Sequence, residues 1–211
     1  MGTITVNFSQ EELVSVIQKV TKINGWFDEN EIATLYLIAK QLNNNSNILE
    51  IGSFRGRSTN AIGHAIQNKS INLYCLDIWR DFWTYPDHVF NSEYVEKEPP
   101  IAYHAFADFL HNIEWFHNQV RVLRGSTNQF CDFLPKNFFD LIFIDAAHDY
   151  ENVKNDINIS LSCLKYGGVI CGHDYMEFHD GVITAVNETI FNSGRFKNFG
   201  VFDGTSIWYA Y

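Results

Sequence analysis

The hydrophobic pattern changes period repeatedly along this 211-residue chain, and each change marks an element. Ser9 followed by Glu12 has capping-box spacing, and Leu13, Ile17 and Val20 then mark one helical face. Asp28 followed by Glu31 repeats the signal, with Ile32, Leu35, Ala39 and Leu42 behind it; the polar run 41–46 ends that helix in a loop. Residues 47–51 (NILEI) read as a short buried strand, broken by Gly52 and followed by a helix carrying Ile62, Ala65 and Ile66. Residues 71–79 predict a second strand. Phe106, Phe109, Leu110, Ile113 and Phe116 predict an amphipathic helix over 102–117. Strands follow at 120–123 and 140–145. A helix on Val153, Ile157, Leu161 and Leu164 stops at Gly167-Gly168, then come a strand at 169–171 and a helix over 181–192.

The chain ends differently. Residues 195–202 and 205–211 flank Asp203-Gly204, a hairpin turn signal. Strands alternating with helices predict right-handed crossovers and an open, mostly parallel α/β sheet with helices on both faces; the hairpin adds an antiparallel strand. A ligand site is expected at the carboxyl ends of the strands. No internal repeat is visible, and the length suits a single domain over residues 1–211.

Two glycines give this pattern its first chemistry. In ILEIGSFRGRST (48–59), Gly52 and Gly56 stand between a strand and a helix, where backbone amides can approach a ligand closely. The spacing is GxxxG, which differs from the GxGxxG of dinucleotide folds and disfavours a nicotinamide-dependent oxidoreductase. No GxxxxGK[ST] loop is present. Glu50 suits a cationic or hydroxyl-bearing ligand better than a pyrophosphate. Asp77 ends the second strand, where a carboxylate can accept from both ribose hydroxyls.

ILEIGSFRGRST, LDIW, and the run from FIDAAHDYENVKNDI to GGVICGHDY resemble the small O-methyltransferase family of class I S-adenosylmethionine-dependent enzymes, similar to the macrolide-sugar and cephalosporin O-methyltransferases. The matches cover residues 47–174 in order, interrupted at 80–118. The resemblance implies a Rossmann-like seven-stranded methyltransferase sheet whose last strand is antiparallel. It also implies that Glu50, Gly52, Ser53 and Gly56 hold the methionine part of the cofactor, with Ser58 and Thr59 at the polar start of the next helix. Asp77 would take the ribose, Ile78 or Trp79 would lie beside the adenine, and Gly125-Ser126 would contact its edge. For Trp79 a core position is an equal alternative.

The metal and base region rests on the same resemblance. Asp145 and His173-Asp174 follow strands expected to be neighbours, and would hold a divalent cation, magnesium by ligand hardness, with Asp145 also bordering the cofactor. A substrate hydroxyl bound there would be acidified. His148, three residues past Asp145, matches the family's base position. His173 departs from the pattern, since close relatives often carry Glu or Asp there; a histidine ligand tolerates softer metals such as manganese or zinc, and the alternative is that His173 is no ligand and serves as a second proton acceptor. Asp149 is a helix-cap candidate, and Tyr150 is placed either against the substrate or in the core. His88 and His179 are candidates for substrate contact, whereas His64, His104, His111 and His117 read as surface or boundary residues. Residues 80–101 alternate aromatic with acidic positions and read as a lid or acceptor loop, or as a contact with a second copy of the chain.

Composition narrows the partners. With 15 Lys plus Arg against 25 Asp plus Glu the formal charge is −10, which disfavours nucleic acid and anionic membrane surfaces. The four cysteines are scattered without a CxxC pair and are expected to be reduced, mostly buried and cytoplasmic. The expected activity is S-adenosylmethionine-dependent, metal-assisted O-methylation of a small-molecule, saccharide or glycan hydroxyl. The alternatives are a catalytically silent cofactor-binding subunit and a metal-independent methyltransferase.

Overall fold

The computed structural model describes residues 9–79 and 104–211. Two helices lead: α1 (Gln10–Val20), capped by the Ser9 hydroxyl, and α2 (Glu29–Lys40), closed by a complete Asp28/Glu31 capping box. The alternating part follows as β1 (Asn47–Ile51), α3 (Arg57–Ile66), β2 (Asn72–Asp77), α4 (Ala105–Asn112), β3 (Val120–Arg124), α5 (Thr127–Phe130), β4 (Phe139–Ile144), α6 (Tyr150–Cys163), β5 (Leu164–Gly172), α7 (Asp180–Val186), β6 (Phe199–Val201) and β7 (Trp208–Ala210). Among the described residues these strands form one seven-stranded sheet in the order β3-β2-β1-β4-β5-β7-β6. The first five are parallel, and β7 runs antiparallel to both β5 and β6. The expected parallel sheet with a terminal antiparallel hairpin is observed.

Period-two alternation divides the core. Ile48, Leu73, Cys75, Leu141 and Phe143 face α1, α2, α3 and α4, while Leu49, Ile51, Ile142, Ile144 and Ile170 face α6 and α7. The chain leaves β1 for one face and β4 for the other, so the order reverses between these neighbours. At such a switch point a ligand crevice is expected at the carboxyl ends of the strands. The ladder continues past the strand ends: Gly52 N–H donates to Leu76 O, Asp145 N–H to Ile51 O and His173 N–H to Ile144 O, at 2.8, 2.8 and 3.0 Å. Loop residues that carry chemistry are thereby fixed to the sheet.

Several boundaries differ from the sequence expectation. The helix over 102–117 is α4 followed by a 3₁₀ segment, Glu114–Gln119, kinked at Phe116. Helix α6 ends at Cys163, because Leu164 is already extended and begins β5, which carries a bulge beside β4. Helix α7 gives way to a π-turn over Asn187–Phe191. Cys75, Cys163 and Cys171 are buried and Cys131 is partly buried; all four are free thiols. No helix among the described residues is long and apolar enough to cross a membrane. The 80–101 loop and His88 lie outside the described residues.

Candidate active site

Alternation along β1 turns Glu50, with Ile48, toward α3. Its side chain is fully buried, and its carboxylate accepts from Ser53 Oγ at 2.6 Å, Ser58 Oγ at 2.7 Å and Thr59 Oγ1 at 2.6 Å. Burial pushes the Glu50 carboxyl up, and the three hydroxyls pull against that shift. These four candidate residues therefore meet in one internal knot that pins the glycine loop to the first turn of α3. Ser53, Ser58 and Thr59 are themselves buried, so their hydroxyls are spent on Glu50.

Gly52 and Gly56 both have left-handed φ, +89° and +86°, which favours glycine. A Cβ at Gly52 would meet the backbone of Asp145 and Ala146 at the start of the next site loop. Asp77 closes the arrangement from β2. Its Oδ2 accepts from the N–H groups of Ser53 and Phe54 at 2.9 and 2.8 Å, and its Oδ1 from Trp79 N–H at 2.8 Å. Burial pushes the Asp77 carboxyl up, while those three amide donors draw it down. Each carboxylate oxygen has two acceptor positions, and among the described residues only one donor fills Oδ1.

Of the adjacent pair, Trp79 is turned into the core, 4% exposed, with its ring against Phe106 and Phe109 and its indole N–H on Phe54 O. Ile78 keeps an exposed side chain. Gly125 N–H bonds Asp77 O, which brings Ser126 to the same edge as the cap of α5 in a capping box with Gln129. Asp149 caps α6. Tyr150 bonds Lys154 and Glu188.

The second half of the site lies beyond β4 and β5. His173 is buried, with Nδ1 3.2 Å from Asp174 Oδ1 and 3.6 Å from Asp145 Oδ1, and Nε2 2.8 Å from Glu31 Oε1. The Nε2–H direction misses the Glu31 oxygen, so this is a close ion pair without an aligned hydrogen bond. Burial opposes charge on His173, but the surrounding carboxylates of Asp145, Asp174 and Glu31 raise it to about 12. Burial likewise opposes charge on Glu31, and His173 with the Asp28 and Ser206 donors lowers it to about 2. Asp174, with left-handed φ of +61°, accepts from His148 Nε2 at 2.8 Å and lies 3.6 Å from His179 Nε2. Against its burial, the two histidines His148 and His173 hold Asp174 well below the usual carboxylate range. The Asp174 hydrogen bond raises His148, against a smaller opposing effect of burial. Asp145, His173 and Asp174 present ligand atoms within 4.8 Å of one another, as do His148, Asp174 and His179.

A family model described as Methyltransferase domain matches residues 49–175. The chain belongs to this methyltransferase family. The match begins within β1 and ends just past Asp174, so it takes in Glu50, Asp77, Asp145, His148, His173 and Asp174 and leaves Glu31 and His179 outside. The chain is 28% identical over 145 residues to the uncharacterized protein R132 of Acanthamoeba polyphaga mimivirus, covering 67% of this chain and 58% of that protein. It therefore spans less than two thirds of the curated relative's length. Among solved structures, the O-methyltransferase from Bacillus cereus in complex with SAH superposes with a TM-score of 0.62 at 18% identity, covering 99% of this chain and 93% of that one. A putative O-methyltransferase from Klebsiella pneumoniae gives 0.62 at 18% identity, covering 97% and 90%. At these identities the likeness establishes the methyltransferase fold.

Two residues of this methyltransferase site carried little signal in the sequence. Glu31 reads as the third residue of a capping box, and its Oε2 does accept from Asp28 N–H at 3.0 Å. Its other oxygen, however, receives Ser206 and faces His173. His179 follows β5 by a short loop, and its ring lies 4.4 Å from that of His148.

Proposed function

We propose that this protein is an S-adenosylmethionine-dependent O-methyltransferase whose acceptor is a hydroxyl of a small molecule, sugar or glycan. One observation carries the reading: a carboxylate fixed by backbone amides, Asp77, and a histidine paired with a carboxylate, His148–Asp174, stand at the sheet edge on either side of the switch point. Asp77 with its remaining acceptor position suits the ribose, the backbone at Gly52–Gly56 suits the methionine end, and Ile78 and Ser126 border the adenine. Glu50, Ser53, Ser58 and Thr59 act by holding that loop in shape. The cofactor supplies an already electrophilic methyl group, so the protein must align the reactants and remove the acceptor proton.

His148 is the base in this reading. Its side chain is 47% exposed, open to an acceptor, and the bond from Nε2 to Asp174 stabilises the imidazolium that forms when a hydroxyl proton arrives. The donor set also fits a divalent cation: Asp145 and Asp174 offer hard oxygens and His173 Nδ1 a nitrogen. Magnesium suits the oxygens, and the imidazole also accommodates manganese. A cation held there would lower the pKa of the acceptor hydroxyl. The exposed ring of Phe178, beside His179, and that of Trp26, against Phe54, provide aromatic faces suited to a sugar ring.

The test is turnover of methyl-labelled cofactor against a panel of nucleotide sugars and glycosylated metabolites, with and without chelator. Label transfer to a hydroxyl that Asp145→Asn abolishes, with cofactor binding retained, supports the reading. Equal loss of turnover and cofactor binding in that variant would make Asp145 a structural or cofactor residue instead. Turnover undiminished by chelator would remove the metal from it.

A further inference from the structure

Glu31 lies outside every motif of the site, on a helix that precedes the sheet, yet it is among the most constrained side chains in the molecule. It is 5% exposed. One oxygen takes the Asp28 N–H at 3.0 Å; the other takes the Ser206 hydroxyl at 2.8 Å and the Ser206 N–H at 3.2 Å. These contacts tie α2 to the β6–β7 turn and leave the carboxylate one position. In that position Oε1 is 2.8 Å from Nε2 of His173. The Phe27 ring lies 4.5 Å from the imidazole at 34° and limits how the ring can turn. With one nitrogen against Glu31, the opposite nitrogen points between Asp145 and Asp174.

We propose that Glu31 is a positioning residue for the cation site: it keeps the His173 proton on Nε2 and so presents Nδ1 to a divalent ion shared with Asp145 and Asp174. This inference rests on the metal-assisted reading above. Imidazole ligands donate their other N–H to a carboxylate, which fixes the tautomer, orients the ring and raises its basicity toward the metal. Glu31 Oε1 lies 2.8 Å from Nε2, close enough to hold the proton there by charge, although the N–H is not aligned on it. Glu31 also adds a third carboxylate to Asp145 and Asp174, so a cation that displaces the Nδ1 proton of His173 would meet a strongly negative surround. The N-terminal helices thereby gain a part in the chemistry beyond packing.

The experiment is a manganese titration of the full chain followed by electron paramagnetic resonance. It compares wild type with Glu31→Gln, His173→Glu and the double variant, with thermal melting as the folding check. Glu31→Gln is expected to weaken manganese binding by about 10- to 100-fold while the cofactor dissociation constant is unchanged. His173→Glu alone places a carboxylate against Glu31 and should bind the ion poorly, whereas the double variant should recover affinity over that single variant. Nitrogen-15 histidine spectra of magnesium-loaded wild type provide a readout independent of any variant and should show the Nε2–H tautomer at His173. A folded Glu31→Gln protein with wild-type manganese affinity, or an Nδ1–H tautomer at His173, would overturn the role of Glu31 alone. Wild type that binds S-adenosylmethionine but no manganese would overturn the metal reading and this inference together.

Discussion

A Cβ on Gly52 would lie 1.8 Å from the backbone carbonyl oxygen of Asp145. The loops that leave β1 and β4 thus touch at the switch point, and the absence of one side chain permits it. Because Gly52 also has φ of +89°, an alanine there is opposed both by strain and by backbone overlap. Gly52→Ala should destabilise the protein by more than about 3 kcal/mol and weaken S-adenosylmethionine binding. Chemical denaturation and calorimetry check the two effects. Wild-type stability in this variant would mean that the two loops can separate freely.

Glu50 organises the same loop from beneath. Replacing its carboxylate with an amide removes acceptor capacity for three buried hydroxyls. Glu50→Gln should cost about 1–2 kcal/mol, or roughly 2–8 °C in melting temperature for a chain of this size, and should raise the cofactor dissociation constant. A loss of stability without any loss of cofactor affinity would separate the knot from the site.

His148 is predicted to act on the acceptor alone. His148→Ala should lower kcat by about 10²- to 10⁴-fold and leave the affinity for S-adenosylmethionine unchanged. Single-turnover kinetics with labelled cofactor distinguish this from slowed product release. Full activity in the variant would assign proton removal to another group, such as His179 at the same carboxylate.

Away from the site, His64 stacks on Trp115 with ring centroids 4.4 Å apart. Burial, with a contribution from Lys19, lowers it to about 4 from an ordinary 6.5. The unfolded chain therefore binds the proton more readily, so this group favours the folded state above about pH 6.5 and loses that contribution as pH falls from 6.5 toward 4. Melting temperatures measured across that window should fall less in His64→Gln than in wild type. Parallel curves would show that His64 protonates without disturbing the fold.

The periodicity that was legible in the sequence belongs to residues whose burial is decided locally. Ile48 and Leu49 alternate because adjacent positions on a strand face opposite layers, and Asp28 with Glu31 marks a helix start by spacing alone. The misplaced boundaries have tertiary causes. Leu164 continues the helical stripe of Val153, Ile157 and Leu161, yet it pairs with Phe139 and becomes strand. Trp79 could be read as an adenine platform or as core, and its φ of +33° turns the ring inward against Phe109.

The candidate site was legible where residues sit at strand ends, as with Asp77, Asp145 and Asp174, because topology alone gathers those ends. Glu31 was not, since its partners His173 and Ser206 are distant in sequence and only the folded chain brings them together. His179 is legible in the sequence as a candidate for substrate contact, but its place beside Asp174 is not, because that distance depends on the course of the loop after β5.

A cofactor site built from the glycine loop and Asp77 underlies every role assigned above. Titration calorimetry of S-adenosylmethionine into wild type and Asp77→Ala tests it most directly. Wild-type binding is expected on the order of micromolar, about −8 kcal/mol, with loss of measurable binding in the variant. Absence of binding to the wild type, or equal binding by both proteins, would contradict it.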